Sequence, residues 1–452
     1  MESREQKLVL FLAILASFVS FLDGSVINVA LPAIARDFQG GLFLQQWVVD
    51  AYLITLGSLI LIAGSLADVY GQRKMLRYGL YGFAAASLLC AIAPNGESLI
   101  AGRALQGMAG ALLVPGSLSM IIATFEGEAQ GRAIGSWTAW TGISFLIGPL
   151  IGGILVDTAS WRMIFAINMI PIGIALWLLH RISTPDQRDS ARRLDILGAC
   201  MCAIGLFGVV FALIEEPHLG WQSLAVIVPF AIGIAALITF FVNEKNHADP
   251  MLPFELFSVG NFSIGNIATL AIYAGLSIAT FLITIFLQEV GGYTALEAGL
   301  ALIPVTAIMF FFSSRFGALA ASYGPRAFMT CGPLLGALGF VLMLRVTLPI
   351  DYWSTLLPGI VVFGFGLAIT VAPLTAAILG SIDTAHAGIG SAINNAVARI
   401  AGLLAIAVLG VWMGPHLDLD SFKKGVILAA LLLASGGIIS VIGIRNAAPR
   451  RS

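Results

Sequence analysis

The chain has 452 residues, of which 59% are hydrophobic and only 10% charged. An average soluble domain carries about 25% charge, so this composition excludes an ordinary water-soluble fold and points to an all-α, polytopic membrane protein. A net charge of −1 at pH 7 offers no basic surface for nucleic acid, and fifty glycines suit the close helix contacts made in lipid.

Breaking the chain at its charged, proline-rich and glycine-rich stretches predicts fourteen spans. Their approximate limits are 8–31, 44–66, 75–93, 98–123, 133–156, 163–180, 195–214, 222–242, 261–288, 296–320, 327–346, 353–380, 387–413 and 424–445. The first is too long for a signal-peptide core and is expected to be retained. An even number of spans puts both termini on one side. Arg4, Lys7, Arg73, Lys74, Arg77, Arg132, Arg181, Arg188, Arg192, Arg193, Lys245, Arg315, Arg326, Arg445, Arg450 and Arg451 lie on that side, against Arg36, Arg162, Arg345, Lys423 and Lys424 on the other. The positive-inside bias makes both termini cytoplasmic.

The polar link Arg181–Arg193 follows the sixth span and suggests a joint between two units. An internal repeat supports it. Gly64-Ser-Leu-Ala-Asp68-Val-Tyr-Gly71 recurs as Gly317-Ala-Leu-Ala-Ala321-Ser-Tyr-Gly324, each copy between the second and third span of its half. Pro115 in the fourth span is matched by Pro373. The expected organisation is a six-helix bundle over 1–180, a linker with two additional helices over 181–260, and a second six-helix bundle over 261–452. Duplicated bundles of this kind hold substrate near the midplane.

Asp23 sits in the middle of the first span. A carboxylate there costs roughly 2.5–3.5 kcal/mol to insert. Ser17, Ser20, Asp23, Gly24, Ile27 and Asn28 share one arc of about 140°, with apolar residues opposite, so Asp23 faces the interior. It is either a titrating acid or a structural carboxylate tied to another helix. Asp50 lies two turns into the second span, between Trp47 and Tyr52. It is either a cation-holding acid or an interfacial residue in an aromatic belt.

Asp68, Arg73 and Lys74 fall in the turn after the second span, flanked by Gly64 and Gly71, and suit a latch made by an acid and nearby cations. Arg103 shares a face with Gln106, Gly107 and Gly110. A buried arginine stays charged and needs an acid or carbonyl partner. Gly148-Pro149-Leu-Ile-Gly152-Gly153 clears one stripe of the fifth span and bends it, as a hinge or tight seal would require. Asn394, Asn395 and Arg399 are polar groups in the thirteenth span, the two asparagines being candidates to line a cavity. The four cysteines fit packing, and no metal or cofactor motif is present.

These motifs together resemble the major facilitator superfamily, in its fourteen-helix drug:proton antiporter branch. The likeness rests on Leu22-Asp23 through Asn28 to Pro32, Gly64–Leu76, Arg103–Gly110 and Gly148–Gly153, the last resembling the family's antiporter signature. Trp161-Arg162 through Asn168 and Leu194-Asp195-Ile-Leu197-Gly198 fit the same branch. Val69 and Gln72 depart from it after the second span, and Ala321 stands where the second-half copy would carry the aspartate.

The resemblance implies a major facilitator fold and alternating access. It further implies export of amphipathic, cationic compounds against inward proton flow across the cytoplasmic membrane. By that likeness Asp23 would be the first candidate to carry the proton and Arg103 its modulator, with Asp50 a rival that could share or take over the titrating role. Asp23, Asn28, Asp50, Gln106, Asn394 and Asn395 would line the cavity. The partners expected are protons, a small amphipathic molecule and the bilayer, with the chain acting as a monomer without cofactor. A rival reading is an exporter of one dedicated metabolite, lipid or self-made antibiotic. An intramembrane enzyme lacks support, since no Ser/His dyad, HExxH or phosphate loop falls on a suitable span.

Overall fold

A helix buries all its backbone polar groups within one segment, which is why apolar spans in lipid become helices. The computed structural model describes residues 4–182, 194–247, 250–383, 387–414 and 416–446, and among them every regular element is helical. The first half holds α1 (Arg4–Phe38), α2 (Gly41–Tyr70), α3 (Gln72–Ala91), α4 (Gly96–Thr124), α5 (Gly127–Thr158), α6 (Met163–Ala166) and α7 (Met169–Arg181). Then come α8 (Ile196–Leu219) and α9 (Leu224–Asn246). The remainder holds α10 (Gly260–Glu289), α11 (Ala295–Ala301), α12 (Ile303–Tyr323), α13 (Pro325–Met343), α14 (Leu357–Leu379), α15 (Ala387–Met413) and α16 (Leu419–Gly443).

Each predicted span coincides with a helix or with a broken pair, α6 with α7 and α11 with α12. Among the described residues, twelve segments are long and apolar enough to cross a membrane. The other two are α3, which opens with Arg73, Lys74 and Arg77, and α5, whose apolar stretch is Ile147–Thr158. Of the expected link Arg181–Arg193, residues 183–193 lie outside the described residues.

The chain divides into two compact units. Unit 1 comprises Met1–Leu252 with Thr294–Gly299, and unit 2 comprises Pro253–Tyr293 with Leu300–Ser452. In unit 1, α4 packs on α2 and α3, while α1 packs on α4, α5 and α7. In unit 2, α14 packs on α12 and α13, while α10 packs on α14, α15 and α16. The neighbour relations of one unit repeat in the other, as the sequence repeat requires. Both copies of the repeat end on a glycine with positive φ, Gly71 at 99° and Gly324 at 89°. L-residues rarely adopt that backbone, so glycine lets the chain turn straight from one helix into the next.

Unit 1 is knit by Leu12, Val19, Leu56, Leu80, Phe83, Leu113 and Ile172, all buried. α8 and α9 form a hairpin in which Gly205, Gly208 and Gly233 bring the backbones together; a Cβ on Gly233 would lie 2.7 Å from Val209 N. In unit 2, Asp418 caps α16, and the N–H of Ser421 holds its carboxyl below the usual carboxylate range.

Candidate functional site

The first turn of α4 is fixed by a capping box, in which Asn95 Oδ1 accepts from Ser98 N at 2.9 Å. Two turns on, Gly107 lets α4 close against α2. A Cβ there would collide with the Tyr52 carbonyl and the Thr55 hydroxyl. That close approach delivers Arg103 and Gln106 to the interior of unit 1.

Arg103 is 1% exposed, and its Nη1 and Nε are both engaged. Nη1 donates to Asp23 Oδ2 at 2.5 Å and to Gln106 Oε1 at 2.6 Å, and Nε donates to the Val48 carbonyl at 3.0 Å. Its centre stands 4.4 Å above the Tyr52 ring and 5.8 Å from the Phe165 ring. Asp23, also 1% exposed, accepts at Oδ1 from Gln106 Nε2 at 2.8 Å and from Asn168 Nδ2 at 3.1 Å. Ser87 on α3 accepts from the same two amides, at 2.9 and 3.3 Å. The Tyr52 hydroxyl meets Ser20 at 3.0 Å.

The result is a charge-neutral network joining α1, α2, α3, α4 and Asn168, the residue just before α7. It unites three of the predicted residues, Asp23, Arg103 and Gln106, and adds Ser87, Asn168 and Tyr52. Asn28 is half-buried on α1 and stands outside it.

Asp50 is the opposite case. It is fully buried on α2, and neither carboxyl oxygen has a hydrogen-bond partner among the described residues. One turn earlier, Trp47 packs on Phe207 and Phe211 of α8 at ring distances of 6.1 and 5.9 Å. Trp47 and Tyr52 are both buried in packing contacts. A carboxylate without donor or cation is costly to keep charged in such a buried place.

The asparagines of the thirteenth span lie in unit 2. Asn394 Nδ2 donates to Thr269 Oγ1 at 2.9 Å and Asn266 Oδ1 at 3.2 Å, while Asn395 donates to Ser391 of its own helix.

Among the conformational candidates, Gly148 and Gly152 clear α5 for α1. A Cβ on Gly152 would sit 2.6 Å from Val26 Cγ2 and 2.7 Å from Val29 Cγ2. Gly153 faces Leu296, which belongs to the same unit, and Gly299 meets the carbonyl of Pro149 at 2.6 Å from its would-be Cβ. Asp157, which the sequence did not single out, accepts from Leu296 N at 2.9 Å and Ala295 N at 3.2 Å and so caps that segment. Arg73 donates to the carbonyls of Ile182 and Leu179 at 2.5 and 3.4 Å, clasping the end of α7. Lys74 lies between the rings of Tyr70 and Tyr78, 5.9 and 5.8 Å from their centres. Gly64 is half-buried, with nothing within 4 Å of a would-be Cβ. The side chain of Asp68 lies outside the described residues, and so does the latch expected of it.

The model of the Major Facilitator Superfamily matches residues 13–406. The chain is 33% identical to a methylenomycin A resistance protein of Bacillus subtilis, covering 89% of this chain and 86% of that one. It is 31% identical to the multidrug resistance protein Stp of Mycobacterium tuberculosis, over 99% of this chain and 85% of that one. It is 34% identical to the cephamycin export protein CmcT of Amycolatopsis lactamdurans, over 88% and 83%. Among solved structures, a peptide transporter POT in complex with sulfate superposes with a TM-score of 0.71 at 14% identity, over 98% of each chain.

Proposed function

Because the chain belongs to the Major Facilitator Superfamily, we propose that it is a proton-coupled antiporter exporting amphipathic, cationic drugs or toxic compounds by alternating access. It works in the cytoplasmic membrane with both termini inside, as a monomer, without metal or cofactor, driven by the proton gradient. The observation that carries this reading is the contrast between two acids in one unit. Asp23 already has a cation and two amide donors. Asp50 is buried with no partner among the described residues.

In this proposal Asp50 takes the proton, while the Arg103–Asp23 ion pair and its network position the helices around the changing charge. When Asp50 ionises on the cytoplasmic side, its charge favours a lipophilic cation; when it is protonated on the outer side, that attraction is lost. Asn28 with Gln106 in unit 1, and Asn394 with Asn395 in unit 2, are the polar contacts proposed for the cargo. The glycines of α5 and the Gly64–Lys74 turn, with Asp68, are proposed as the parts that change conformation.

The test is accumulation of lipophilic cations in an efflux-deficient bacterial host. Expression is expected to lower accumulation several-fold, and a protonophore to restore it. Efflux insensitive to the protonophore would overturn the coupling. A second reading, export of one dedicated metabolite, is favoured by the likeness to a cephamycin export protein. Efflux confined to one compound class in a broad panel decides for it.

A further inference from the structure

The Asp195–Gly198 motif takes no part in the transport site, yet its aspartate is buried. Asp195 is 3% exposed at the N-terminus of α8, and Glu244 is 1% exposed on the last turn of α9. Asp195 Oδ1 accepts from Gly198 N at 2.7 Å, and Oδ2 accepts from Asn243 Nδ2 at 2.7 Å. Glu244 Oε2 accepts from Leu252 N at 2.8 Å. Leu252 is the last residue of unit 1 before the chain continues into unit 2.

Glu244 Oε1 is buried and receives no donor from the described residues. It borders the same small space beside Gly198 as Asp195 Oδ2. A Cβ on Gly198 would collide with Asp195 Oδ2 and come within 3.0 Å of Glu244 Oε1, so the glycine makes the room in which the two acids meet. Two carboxylates this close and this dry do not both ionise. The atom that completes the contact is a proton on one oxygen, donated to the other.

We propose that Asp195 and Glu244 form a second proton-binding site, separate from Asp23 and Asp50. The site is a clasp at the foot of the α8–α9 hairpin, closed by one shared proton. Loss of that proton to the aqueous phase breaks only an O–H bond. It leaves two anions in contact, and the repulsion withdraws Glu244 from Leu252 and frees the segment that enters unit 2. The clasp is therefore closed at low pH on its side of the membrane and opens as pH rises. The hairpin it closes is seated on α2, where Phe207 and Phe211 hold Trp47 one turn from Asp50.

Among the described residues, the other titratable groups facing Glu244 are Cys202 on α8 and His247 just beyond α9. A histidine titrates in the same range, so it has its own arm in the test.

The experiment is hydrogen exchange at the Leu252 amide in the full-length protein in lipid nanodiscs. It runs from mildly acidic to mildly alkaline pH, with rates corrected for intrinsic exchange. The wild-type protein is expected to lose protection as pH rises, by at most about tenfold per pH unit for a single proton. Glu244→Gln, whose amide donates to Asp195 at every pH, is expected to give a flat profile. Asp195→Asn, which donates to an ionised Glu244, does the same and carries the test if the first variant does not fold. His247→Gln is expected to keep the wild-type slope. A flat wild-type profile, or a slope that survives in both carboxyl variants, overturns the proposal. A slope lost only in His247→Gln assigns the titration to the histidine and overturns it too. No arm depends on transport, so the result stands apart from the fate of the antiport reading.

Discussion

Arg103 shows how one side chain ties unit 1 together. It meets Asp23 on α1, Val48 and Tyr52 on α2 and Gln106 on its own helix, with no water-facing surface to spare. Removing either charge alone strands the other, at a cost of ~3–5 kcal/mol for a buried pair. Arg103→Gln and Asp23→Asn are each expected to lower the melting temperature of the purified protein strongly. The double variant is expected to lose less than the sum of the two by at least about 1 kcal/mol. Additive losses would show that the pair is not coupled. Asp23, Arg103 and Gln106 were legible because helical spacing puts each on a polar face. Asn168 was not, since it sits where α6 breaks into α7 and no continuous helix assigns it a side. Tyr52 was open between an aromatic neighbour of a held cation and an interfacial aromatic. Only tertiary contact reveals that its ring lies under a guanidinium and its hydroxyl reaches Ser20.

Between elements, glycine acts where backbones meet, and not every glycine in a motif does so. Gly107 lies against the Tyr52 carbonyl, which cannot swing aside as a side chain end does. Gly107→Ala is therefore expected to destabilise the protein by about 1–3 kcal/mol as α2 and α4 are pushed apart. Gly64→Ala places its methyl in open space on α2 and is expected to change stability by less than about 0.5 kcal/mol. Thermal unfolding of the two variants side by side checks the contrast, and equal losses would refute it. The spans themselves were legible from hydropathy, because lipid allows little besides helices. The breaks at Ile167–Asn168 and Leu302 were not, since short interruptions leave the apolar run intact. The repeat Gly64–Gly71 with Gly317–Gly324 predicted matching turns, and the two positive-φ glycines are those turns.

For the whole molecule, the decisive matter is which carboxyl changes charge during transport. Sequence placed two acids in apolar helices and left both as candidates, because periodicity gives a face but neither a depth nor a partner. Asp23 has its counter-ion built in. An acid held by an arginine and two amides gains little from a proton, which would forfeit an ion pair and leave Arg103 buried and unmatched. Asp50 forfeits nothing on protonation, and its ionised form calls for a cation from outside. In the proposed cycle that cation is the drug. Asp50→Asn imitates the permanently protonated state. Reconstituted in proteoliposomes, it is expected to lose uphill efflux driven by a pH gradient by at least about tenfold, equivalent to 1.4 kcal/mol of coupling. Exchange of labelled for unlabelled substrate with no gradient, which needs the conformational change but no proton release, is expected to survive, with weaker affinity for cationic than for neutral substrates. Asp50→Glu restores the titrating group and is expected to recover part of the uphill efflux. Full gradient-driven efflux by Asp50→Asn would remove Asp50 from the coupling. Loss of exchange along with efflux in both Asp50 variants would make Asp50 a residue that shapes α2, with no part in carrying the proton.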